Sequence, residues 1–396
     1  MRGRLMDKNI GRAIYWLYHK RPNDAFPEVS FSQAGKNGDR LRAEILHLIE
    51  KDDSLRGLLS GCQVIGASRN PVTSERLAAW AVSCIHNYTP FEEWLVSYLS
   101  RNSFSAYAIA LLTGVEIDQA ISLGNYGSLM SIYSLPNKTL QVALGESLDA
   151  NALTPQYSAA LVIPFQHPLM IGQAREGELH PIVGAKLELL DDVLSCLALA
   201  GGGSLAVHKV ATSIVAADDV PCFGPALWEY HSFRVMPKVT VMVEDECTNA
   251  VVFLDKLYAM DEAHRNRVRL PLSKLNDFHA CKDLSEAAVL LRTCLESIFL
   301  DNDSGELSHR LSIRAALVMG GSIEERLATY RMMKKAYEHG SAAVHRGKIS
   351  SKRPQEVVAV LQQAAKVAKK VISLHLDSPG EDWLTLELGG AHPHLM

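Results

Sequence analysis

Between residues 284 and 376 apolar side chains return at every third or fourth position, and that period restricts this part of the chain to packed amphipathic helices. Ala287, Leu290, Leu291, Cys294, Leu295 and Ile298 share one face, and Leu307, Leu311, Ala315 and Val318 a second. Ile323, Leu327, Tyr330, Met333, Tyr337 and Val344 trace a third, and Val357, Leu361, Ala364, Ala368 and Val371 a fourth. Consecutive helices with short connections read as an up-and-down bundle. Gly347, Ser350, Ser351 and Pro354 stop the third helix before the fourth begins.

The third segment closes on Tyr337-Glu338-His339-Gly340-Ser341-Ala342-Ala343-Val344-His345-Arg346-Gly347. A histidine where a packed helix gives way to a loop is held by the scaffold yet meets solvent, which suits proton transfer near neutral pH. The same position also suits a structural histidine that interacts with the helix dipole and the last carbonyls. Arg331, Lys334, Lys335, Arg346, Lys348, Lys352 and Arg353 surround it, against the single acid Glu338. Such a cluster draws in phosphates, or is simply a solvated helix end. Tyr330 and Tyr337 read as packed residues, so stacking on bases is not expected. Arg314 shares a face with Leu307, Leu311 and Val318, and a charge brought into a bundle must be paired. Glu296, Glu306, Arg310 and Arg314 are therefore expected to form ion pairs that fix the packing.

Three motifs together carry a resemblance. Leu295-Glu296-Ser297-Ile298-Phe299 is followed by Gly305-Glu306-Leu307-Ser308-His309-Arg310-Leu311-Ser312-Ile313-Arg314-Ala315-Ala316-Leu317, and then by the stretch from Tyr337 to Gly347. Over roughly residues 265 to 376 this resembles the HEPN superfamily, and most closely its Apea-like branch. The resemblance implies a metal-independent endoribonuclease of bacterial antiphage defence or toxin-like growth arrest, working as a homodimer through its C-terminal helical domain, with RNA as substrate and a protein partner of a defence system also possible. In that family an arginine, followed a few residues later by a histidine, supplies positive charge to the phosphorus centre while the histidine moves the proton. His345 matches the histidine and Ser341 the residue after the arginine, but the arginine position itself is Gly340. His339, which forms a His-x5-His pair with His345, or Arg346, Lys348 or Lys335 would have to supply the missing charge. Otherwise the bundle is an inactive scaffold for dimerisation and complex assembly, or an RNA-binding module. The expected catalytic set is thus His345, His339 and Arg346, with Arg331, Lys334, Lys335, Lys348, Lys352 and Arg353 on RNA.

At 396 residues and a formal charge of −4, the chain is not a general nucleic-acid coat, so any polyanion site must be local. Cys62, Cys84, Cys196, Cys222, Cys247, Cys281 and Cys294 contain no CxxC pair, and several sit at apolar helix positions, which reads as reduced thiols of a cytoplasmic protein. The spacing of His208, Cys222, His231 and Cys247 does not suit zinc, and Asp191-Asp192 and Asp218-Asp219 read as solvated acids; no metal or cofactor is expected. Apolar runs are too short for a membrane span. The fold expected is mainly α with a mixed α/β middle region. It divides into a mostly helical region at 1–137, a mixed region at 138–260 with strands near 158–165, 204–208 and 239–243, and the HEPN-like bundle at 261–396.

Overall fold

Phe104, Ala106, Ala108, Ala110 and Leu112 alternate with Tyr107, Ile109 and Leu111, and this period of two builds β3 (Ser103–Thr113), an eleven-residue strand. In the computed structural model the described residues are 103–135, 159–168, 181–201, 205–214, 240–300, 305–349, 353–377 and 383–389, with shorter pieces between 43 and 78 and at 100–101, 171–172 and 226–228. β1 (Cys62–Ile65) pairs antiparallel with β2 (Ser68–Pro71) and with β8 (Ile171–Gly172). Just after β2, Thr73 caps the helical residues 74–78 by accepting from the Arg76 amide at 3.2 Å.

β3 is the centre of an antiparallel six-stranded sheet. One side of it pairs with β7 (Ala159–Pro168), which continues to β6 (Ser128–Ser131) and β5 (Ile121–Ser122). Its other side pairs with β9 (Ala206–Ile214) and then β10 (Ala226–Trp228). A short parallel contact joins β4 (Val115–Glu116) to β11 (Thr240–Val241). Within 103–131 these strands depart from the helical character expected of that region: the alanines of β3 favour helix locally, but a strand flanked on both sides is fixed by its neighbours. The sheet draws strands from both sides of the division expected at 137/138. Residues 1–42 of the region expected to be helical lie outside the described residues.

The helices follow as α1 (Pro181–Gly201), α2 (Glu244–Ala259), α3 (Glu262–Ala280), α4 (Leu284–Phe299), α5 (Leu307–Met319), α6 (Ile323–Arg346), α7 (Pro354–Asp377) and α8 (Trp383–Glu387). The molecule is mainly α with a mixed α/β middle, and its C-terminal part is an up-and-down bundle. Asp261, Asp283 and Ser322 each cap the helix that follows them, accepting from the amides of His264, Glu286 and Glu325. Small side chains on one face of β3 lie in the same core as Leu189, Leu190, Val193 and Leu197 of α1, and that core runs on without a break into the bundle. Ile109, Leu111, Ala160 and Val162 line the opposite face of the sheet.

Two polar ties cross from the α/β layer to the bundle. Asp192 of α1, 4% exposed, receives Arg269 Nε at 3.0 Å and Nη2 at 2.8 Å, and the Tyr258 hydroxyl donates to it at 2.8 Å. Asp192 is therefore not the solvated acid expected from sequence, because a cation two helices along the chain reaches it; Asp191 beside it is exposed. Asn276 of α3 binds both backbone groups of Leu205, donating to its carbonyl at 2.9 Å and accepting from its amide at 3.2 Å. Cys196, Cys247 and Cys294 are buried and unpaired, and burial pushes each thiol well above its ordinary range. Cys222, His231, Asp218 and Asp219 lie outside the described residues. Among the described residues no helix is long and apolar enough to cross a membrane.

Candidate functional site

α6 is defined at both ends by local chemistry. Ser322 and Glu325 form a reciprocal capping box at its start, with Glu324 in the same first turn where the dipole favours acids. At its end Gly347 takes a left-handed φ of 70°, which stops the helix after His345 and Arg346. The buried face consists of Met333, Ala336, Tyr337, Gly340 and Ala343. Ile323, Leu327 and Val344, expected on that face, are instead 72%, 43% and 52% exposed. The physical reason is that small residues set the closest contact between helices, so the packed face is rotated away from the line of large apolar side chains.

Gly340 sits at that closest contact. A Cβ at this position would stand 2.7 Å from Arg292 Cβ and 2.8 Å from the Ala288 carbonyl oxygen of α4. No side chain fits without moving one helix from the other. The Arg292 guanidinium lies over the Tyr337 ring at 4.8 Å and its Nε donates to Glu296 at 2.8 Å. The Tyr337 hydroxyl donates to the same carboxylate oxygen at 2.9 Å, and burial followed by that hydrogen bond raises its pKa. Glu296 thus pairs within its own helix. Arg292 does not supply the arginine that the HEPN resemblance leads one to expect beside His345: α4 and α6 run antiparallel, so its guanidinium reaches toward Tyr337, eight residues or about 12 Å along the axis from His345. At the other end of this contact the Ile349 amide donates to Ser285 Oγ at 3.0 Å.

His345, Arg346 and Lys348 are exposed. His339 is half-buried, its Nε2 enclosed without a hydrogen-bond partner, and burial followed by the charge of Lys335 holds its pKa below the ordinary imidazole value. Six residues separate the two histidines, which places them about 9 Å apart along the helix and about 120° apart around it. The His-x5-His pair is therefore not one constellation. Lys335 stands ten residues before His345, about 15 Å away along the axis, leaving Arg346 and, just past the helix end, Lys348 as the expected cations near it in the chain. What the helix does bring together is a stripe: Arg331, Lys334, Lys335, His345 and Arg346 fall within about 120° of arc, all exposed, with Glu338 among them. Arg353, at the start of α7, is paired with Glu356 at 2.7 Å, and Lys352 lies outside the described residues.

Arg314 is 5% exposed. Its Nε donates to Glu387 of α8 at 2.6 Å, its Nη1 to the Phe299 carbonyl, and its guanidinium lies 5.6 Å from the Trp383 ring centre. Trp383 packs in turn on Phe299 with ring centres 5.5 Å apart. Glu306 caps the start of α5 in a left-handed conformation, φ 51°, exposed, and its carbonyl accepts from the half-buried Arg310 amide at 3.0 Å. Tyr330 corrects another expectation: it is only half-buried, and its hydroxyl is hydrogen-bonded to Nδ1 of exposed His309 at 3.0 Å. Sequence reasoning missed Arg292, the His309–Tyr330 pair and the Trp383–Glu387 clamp. Only the first left a local signal, the i,i+4 spacing of Arg292 and Glu296.

Comparison with protein-family models, curated proteins and solved structures finds no match to this chain.

Proposed function

We propose that the chain is an RNA-binding effector whose C-terminal bundle is HEPN-like and whose cleavage centre has been given over to packing. Gly340 carries this reading. The position where the resembled family places its arginine is occupied by a helix–helix contact too close for any side chain, and the nearest guanidinium, Arg292, bonds Glu296 through Nε and lies over Tyr337, with its buried Nη1 unbonded. An exposed imidazole can move a proton, but a phosphorane also needs fixed donors aimed at its oxygens. Phosphate binding needs only charge, and the outer face of α6 presents it from Arg331 to Arg346 over about 22 Å. The setting carried by the resemblance is bacterial defence against phage or growth arrest, with two copies associating through the C-terminal helices. Free thiols at Cys196, Cys247 and Cys294 suit the reducing cytoplasm.

The test is the salt dependence of binding. Arg331, Lys334 and Lys335 are exposed, so replacing all three by glutamine leaves the core untouched. Fluorescence anisotropy with a labelled single-stranded RNA should show the slope of log K against log salt falling by about 2, at roughly 0.7 for each phosphate contact removed. An unchanged slope removes the stripe. Absence of RNA binding by the wild-type chain favours the assembly-scaffold reading instead.

A further inference from the structure

We infer that the His309–Tyr330 pair is an aromatic platform on which an unpaired base stacks beside the α6 phosphate stripe, so that the strand bound is single-stranded. This rests on the RNA-binding reading above and deepens it. The two rings meet edge to face, with centres 5.8 Å apart and planes at 73°. The hydrogen bond between Nδ1 and the phenol fixes both rings, one from α5 and one from α6, so little side-chain freedom is lost when a base settles there. The pair adjoins charge directly. Arg331 follows Tyr330 in the chain, and Lys334 lies one helical turn on, where i,i+4 side chains are neighbours. Tyr337 is buried under Arg292, so it is not part of this surface.

A basic track alone binds any polyanion. A track with ordered aromatic rings at its edge binds strands whose bases are free, since every base has a face to stack and a duplex hides it. Duplex RNA presents phosphates and 2′-hydroxyls only, and would leave the platform unused.

The test uses the full chain with a labelled twelve-nucleotide RNA, its abasic counterpart with the same phosphates, a duplex, and the DNA of the same sequence. Wild type should bind the RNA about 5- to 100-fold more tightly than the abasic strand. His309→Ala, at an exposed position, should remove most of that difference while leaving abasic binding and the salt slope unchanged. Tyr330→Ala should do the same, and Tyr330→Phe, which keeps a ring but loses the hydrogen bond, should fall between. Equal binding of RNA and abasic strand by wild type, or full base-dependent affinity in His309→Ala, would overturn the platform while leaving the stripe. Binding of neither strand would overturn the RNA-binding reading itself. Preference for DNA over RNA would keep the platform and overturn the choice of RNA.

Discussion

At Gly340 two effects of opposite sign meet. Glycine inside a helix costs about 1 kcal/mol relative to alanine, so Gly340→Ala would stabilise an isolated α6. Here the added carbon meets a backbone carbonyl at 2.8 Å, which cannot rotate away as a side-chain tip could. Overpacking of this kind costs about 1–3 kcal/mol, so packing wins and the variant should melt at a lower temperature than wild type. Gly340→Arg, which introduces the arginine that the HEPN resemblance would place here, should be worse still. A thermal or denaturant melt decides it, and a stabilised Gly340→Ala would show that the two helices separate freely. The absence of arginine at this position is legible in the sequence; its reason is not, because Ala288 and Arg292 come from a different helix. Likewise His345 is recognisable as a helix-end residue, whereas the divergence of His339 from it emerges only once the helix is continuous through both.

Among the elements, α8 is a short C-terminal helix held to α5 by the most buried charge in the site region. Arg314 shows why a sequence can demand a partner without naming it. Its place on an apolar face requires a carboxylate, but Glu387 lies far along the chain, beyond α7. Removing one member of a buried pair costs about 3–5 kcal/mol, whereas replacing both with apolar residues is often neutral. Glu387→Ala should therefore destabilise strongly in denaturant unfolding, and the double replacement of Arg314 and Glu387 by leucine should recover most of the loss. Additive losses would mean that the contact is not coupled. The bundle helices were legible because their periods are regular. The packed face of α6 is not legible from hydropathy, because Ala336, Gly340 and Ala343 carry little of it yet lie on the buried face. Nor is β3, because its alternation is written in alanines and its pairing with β7 and β9 is set by residues far away in sequence.

For the molecule as a whole, one apolar core runs from the β3 sheet through α1 and α2 into the bundle, and Asp192–Arg269 and Asn276–Leu205 tie the layers together. The boundary expected at 260/261 falls at the tight turn between α2 and α3, where Met260 is buried and Asp261 caps α3. The role proposed for the α6 stripe is to hold RNA without cutting it. The measurement that decides it incubates the chain with end-labelled single-stranded RNA in the presence of EDTA and follows both complex and strand length. A retarded, salt-sensitive complex is expected, from which intact RNA is recovered, with strand length the same for wild type and His345→Ala. Chelation-resistant cleavage that disappears in His345→Ala would contradict it and return the site to catalysis.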